Sequence, residues 1–169
     1  MINHYLSDII LNVGNVAFPA HKFVLTAHSP VFAAMFQHGL VENQKNAVDI
    51  PDIKSNVFES VLQFLYSGDV LGVEPFPDQV LIAVDKYQLD ELKSKCEDIM
   101  IADFSPLNAF KFLAFSHVHS PGKLKKKSMH YINGNAIKSN LIFTPDWKEF
   151  KFYYPQLAIE LYEEMFTRI

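Results

Sequence analysis

"SDIILNVGNVAFPAHKFVLTAHSPVFAAMF", residues 7–36, changes its hydrophobic period part-way along. DIILNV (8–13) and VAFPA (16–20) are apolar runs on either side of Gly14-Asn15. Two such runs around a two-residue Gly-Asn turn predict a β-hairpin. AHKFVLTAHS (20–29) then turns to helical spacing. Ser29-Pro30 opens the next segment, with Ser as N-cap and Pro at the first helical position. Val31 with Met35 and Phe32 with Phe36 form the i, i+4 stripe of a helix laid on a core.

Working outward, QHGLVENQKN (37–46) is polar and turn-forming except for Leu40-Val41, with Glu42 directly behind them. Connecting loops are normally solvated, so this apolar pair needs a reason. AVDIP (47–51) reads as a short strand stopped by Pro51. SNVFESVLQFLYSG (55–68) reads as a helix with Val57, Phe58, Val61, Leu62 and Leu65 on one side and Gly68 just past its end. LGVEPFP (71–77) is a connection. DQVLIAVDKYQL and DELKSKCEDIMI follow as two helices, the second capped by Asp90. Ser105-Pro106 repeats the helix-start signal for SPLNAFKFLAFSH. Another helix is expected over GKLKKKSMHYINGNA, a turn at TPDWKEF (144–150), and a last amphipathic helix over YPQLAIELYEEMF, with Leu157, Leu161 and Met165 four apart. Strands and helices are thus mixed for about the first 55 residues and only helices follow. The expectation is an α+β domain over 1–102 and an α-helical extension over 103–169.

The bulk numbers agree with a folded chain. Of 169 residues, 49% are hydrophobic and 20% charged, with fifteen Phe and seven Tyr, enough for a sizeable aromatic core. A net charge of −4 gives no electrostatic footprint for nucleic acid. No apolar run reaches the ~20 residues that span a bilayer, and MINHYLSD has no signal-peptide pattern. The single cysteine, Cys96, fits a reducing, intracellular setting, nucleus or cytoplasm.

Catalytic and metal readings find little support. His117 and His119 are the tightest histidine pair, but two residues apart on a helix they point in different directions, so no metal site is assigned. In KSKCEDI two acidic neighbours would raise the Cys96 thiol pKa, which favours a buried structural cysteine over a nucleophile. Phosphate loops, G-x-S-x-G and H-E-x-x-H are absent. No enzyme activity and no cofactor are expected. Lys123, Lys125, Lys126 and Lys127 read as a solvated helix face. Asp8 and Lys22 lie beside apolar runs; if buried, each needs a partner and could be the other's.

Taken together, these stretches resemble the BTB/POZ domain over residues 7–101. Asp8, the hairpin, the AHK and the SPVF-AMF helix resemble its opening. VDIPDIKSNVFESVLQFLYSGDV resembles its next strand, helix and Tyr-x-Gly turn, and LIAVDKYQLDELKSKCEDIM its closing helix pair. NAFKFLAFSHVHSPGKLKKKSMHYINGNA and TPDWKEF…YPQLAIELYEEM resemble the short BACK-like extension of the speckle-type POZ protein (MATH-BTB) subfamily. The resemblance implies a small β-sheet flanked by a helical cluster, followed by helices. It implies a non-catalytic adaptor that self-associates and docks on cullin-3 to recruit substrates for ubiquitination; the alternative is a homodimeric interaction module of the transcription-regulator type. The loop's hydrophobic-x-Glu motif, Leu40-Val41-Glu42, would be the cullin contact. Asp8 and Lys22 would form a charged pair near the dimer interface, with Val24, Ala27 and His28 on the helix facing the second subunit. Subfamily members carry a substrate-binding MATH domain and a Leu-rich helix upstream, where this chain has MINHYLS. Substrate is therefore expected to be held by a missing or separate segment.

Overall fold

The computed structural model describes residues 6–37, 46–135 and 141–167, with side chains described as far as Glu164. The chain divides into two compact units, Met1–Cys96 and Glu97–Ile169.

In the first unit, β1 (Ile9–Val13) is the middle strand of a three-stranded sheet. It pairs antiparallel with β2 (Val16–Ala20), so the hairpin forms as the sequence requires. Gly14, first in the turn, has φ +60°, a conformation that costs glycine little. The other edge of β1 pairs in parallel with β3 (Ala47–Ile50), Leu11 opposite Val48 and Val13 opposite Ile50. A parallel partner needs a long crossover. The hairpin's return strand, α1 (Lys22–His28) and α2 (Pro30–Gln37) lie within it. Alternation sends Ile9, Leu11 and Val13 into the core and leaves Ile10 exposed.

Ser29 caps α2 as expected. Its buried Oγ accepts the Phe32 N–H at 3.2 Å and donates to the Tyr87 carbonyl at 2.6 Å. The cap thereby joins α2 to the turn after α4 (Pro77–Lys86). Phe32 stacks on Tyr87, ring centroids 4.5 Å apart, and Phe58 meets the same ring edge-on. Phe58 lies on α3 (Ser55–Ser67), whose expected face is buried throughout; Gly68 ends the helix at φ +73°. In α5 (Asp90–Ala102), Asp90 is the first helical residue and not the cap. The Leu89 carbonyl accepts the Lys93 N–H, which puts Leu89 in the flanking position. Cys96 is buried.

The second unit is helical. Two local expectations need correction. Ser105-Pro106 opens a turn, and α6 begins only at Ala109 (Ala109–His119). The Asn108 side chain accepts the Ser105 N–H at 2.8 Å and donates to the Asp103 carbonyl at 2.9 Å, which holds that turn closed and delays the helix. TPDWKEF is not a turn. After a 3₁₀ turn at Leu141–Phe143, Thr144 Oγ1 accepts the Trp147 N–H at 3.2 Å and caps α8 (Pro145–Tyr153). Between them, α7 (Gly122–Asn135) starts against Glu97, whose buried carboxylate accepts the N–H groups of Lys123 (2.7 Å) and Leu124 (3.0 Å). The last helix, α9 (Pro155–Thr167), buries Leu157 and Leu161. Phe110, Leu113, Ile132, Trp147 and Phe150 lie in the same core cluster.

Candidate self-association face

The first turn of α1 is held from outside the helix. His21 precedes it and supplies no side-chain cap. Instead Asp8 Oδ1 accepts the Lys22 N–H at 2.7 Å, and the Tyr66 hydroxyl accepts the His21 N–H at 2.9 Å. Both satisfy donors that a short helix leaves open, and the Asp8 charge sits favourably at its positive end. Tyr66 Oη also lies 2.8 Å from His21 Nδ1, where the phenol can donate while accepting the peptide N–H. Burial pushes the Tyr66 phenol above its ordinary range and the Asp8 charge adds to this, against the pull of the His21 N–H.

Asp8 and Lys22 therefore meet, but the group that meets Asp8 is a peptide N–H. The Lys22 ammonium donates to Asn46 Oδ1 at 2.8 Å and lies 5.8 Å from the Phe36 ring centre. Within one chain Asp8 is exposed and Lys22 half-buried. Leu25 is the fully buried residue of α1 and points it inward. Around the rest of the helix, Ala27 and His28 are exposed and Val24 is half-buried. A residue that the sequence reading passed over dominates this outer side: Phe23 is 81% exposed. Helical spacing sets Phe23 one turn before Ala27, so the signal was present. Leu6, two residues before Asp8, is exposed as well. Isolated exposed apolar residues are ordinary; Phe23, Val24 and Ala27 on one short helix form a patch.

Leu40, Val41 and Glu42 lie outside the described residues. The other candidates are engaged in other ways. His117 meets the Tyr154 ring edge-on and His119 packs on Phe115. In the lysine run, Lys123 pairs with Asp98 and Lys125 with Glu160, both at 2.9 Å, and Lys127 sits over the Phe104 ring. Among the described residues no helix is long and apolar enough to cross a membrane.

A family model described as "BTB/POZ domain" matches residues 2–103. The chain belongs to the BTB/POZ family. Among solved structures, the BTB domain of zebrafish PATZ1 is 28% identical over 56% of this chain and 75% of that one, with a TM-score of 0.47. The BTB (Tramtrack and Bric a brac) domain of human gigaxonin is 23% identical over 53% and 74%, also with a TM-score of 0.47. The BTB domain is a protein-interaction module, generally non-enzymatic, whose members homodimerise and bind other proteins. The small sheet with its helical cluster is the fold that the sequence implied.

Proposed function

We propose that this BTB protein is a non-catalytic adaptor. It pairs with a second copy through the outer side of α1 and docks on cullin-3 through the 40–42 stretch, bringing substrate to a ubiquitin ligase in the nucleus or cytoplasm. The observation that carries the reading is the outer side of α1: an exposed Phe23 beside Val24 and Ala27, on a helix fastened by Asp8 and Tyr66. A rigid apolar patch on a protein-interaction module suits an isologous contact, in which the same surface is used twice. The loop reading rests on sequence: an apolar pair followed by Glu42, in a polar segment. We assign the chain to the speckle-type POZ protein subfamily because helices follow the BTB match. A boundary at 102/103 keeps α5 whole.

The test is calorimetric titration with a cullin-3 N-terminal fragment. Binding supports the adaptor reading over the transcription-regulator type. Leu40→Ala should weaken the complex by about 2 kcal/mol, roughly thirtyfold, as a central anchor does, and Glu42→Lys should slow association. No binding by the wild type, or a Leu40→Ala variant that melts earlier but binds equally well, overturns the docking assignment.

A further inference from the structure

The second unit carries a groove of about 340 Å³ between α6 and α8 that none of the roles above uses. Phe110 and Phe150 form its floor, both belonging to the core and held 5.3 Å apart by ring centroids. Tyr154 continues that aromatic surface, 5.6 Å from Phe150. The walls stand in solvent: Leu107 is 90% exposed and Tyr153 65%. The Phe152 ring meets Tyr153 edge-on at 5.1 Å. The groove is therefore aromatic and, on its floor, rigid.

Its rim is charged. Asp146 and Glu149, three residues apart on α8, lie on one side, and Lys111 of α6 lines the same groove. Among the described residues none of the three is in an ion pair, although four other lysine–carboxylate pairs form. Like charges at that helical spacing repel. A cation placed over Asp146 and Glu149 would relieve the repulsion while its apolar neighbour covers the aromatic floor.

We propose that this groove binds a short extended segment of a partner protein, in which an apolar residue is flanked by Lys or Arg. The apolar side chain enters over Phe110 and Phe150, between Leu107 and Tyr153. The basic side chain reaches Asp146 and Glu149. Docking of an extended segment in an aromatic-lined groove is a recurrent mode of peptide recognition. None of the residues that line the groove belongs to α1 or to 40–42, so the inference stands whether or not the chain docks on a cullin.

The experiment is selection of a random peptide library displayed on phage against the full chain, followed by anisotropy titration of one enriched peptide. The enriched sequences should share an apolar residue beside Lys or Arg. Glu149→Lys and Tyr153→Ala should each weaken binding by about tenfold, and added salt should weaken it further. Leu107→Ser, at the most exposed wall position, gives a second test that does not disturb the core. Melting temperatures of the variants are measured alongside. Failure to enrich any peptide, a shared sequence without a basic residue, or binding indifferent to Glu149→Lys and Leu107→Ser overturns the proposal. So does sedimentation in which Tyr153→Ala dissolves an oligomer, because the groove would then be filled by a second copy.

Discussion

Asp8 caps a helix to which it does not belong. Its carboxylate accepts the Lys22 N–H, and its own N–H donates to the Ala20 carbonyl at 3.1 Å. Asp8→Ala should therefore destabilise the fold by about 1 kcal/mol, as loss of a capping acceptor does. Asp8→Asn keeps an oxygen at the same place and should stay within about 0.5 kcal/mol of wild type. Urea unfolding of both variants checks this; a loss of several kcal/mol in Asp8→Asn would show that the charge itself is needed. Asp52 and Lys86 give the pH dependence a residue-level cause. The hydrogen bond from Lys86 at 2.7 Å holds the Asp52 carboxyl below its usual 3.8, against a smaller opposing effect of burial. Burial is the largest single influence on Lys86 and works against its charge, but the bond to Asp52 together with the Tyr87 and Asp52 charges outweighs it and raises the ammonium above 10.5. The pair's contribution is thus complete between those two values. It is lost as pH falls through the lowered Asp52 value or rises through the raised Lys86 value. Both side chains are about half exposed, so the contribution is small and screened by salt. Lys86→Met should flatten the acid limb of the stability profile below pH 3.8; an unchanged limb would show that the pair adds nothing.

At the scale of elements, the helix ends show what local chemistry can carry. Ser29-Pro30 was legible because cap and first helical residue are adjacent in the chain and nothing nearby competes. At Ser105-Pro106 the same dipeptide misleads, since Asn108 uses both ends of its amide to close a turn first. Thr144-Pro145 carries a valid start signal that a short, mixed-polarity segment concealed. Thr144→Ala should cost about 1 kcal/mol of stability in urea unfolding, within the usual range for a lost N-cap. No change there would mean that the packing of Trp147 and Phe150 alone starts α8. The parallel pairing of β1 with β3 was out of reach, because strand neighbours 37 residues apart, such as Asn12 and Asp49, leave no local pattern. For the candidate site, the family resemblance supplied Val24 and Ala27, and helical spacing from Ala27 could have added Phe23. A phenylalanine is usually a core residue, and only the burial of Leu25 fixes which way α1 faces.

At the scale of the whole molecule, the proposed self-association covers α1 with a second copy of the chain. A two-fold contact uses each substitution twice, so Phe23→Asp would set two carboxylates into one apolar interface. Each would lose water without gaining a partner. Phe23 makes little use of its own chain, being 81% exposed, so the monomer fold should not register the change. These two facts give the variant a distinctive signature. The wild type should sediment as a dimer at micromolar concentration, and its melting temperature should rise with protein concentration, because association stabilises only the folded chain. Phe23→Asp should sediment as a monomer, and its melting temperature should not depend on concentration. Val24→Lys, half-buried on the same helix, should act in the same direction with some loss of monomer stability. A dimeric Phe23→Asp variant would move the self-association face away from α1. A wild type that stays monomeric would leave the Phe23 patch to a different protein.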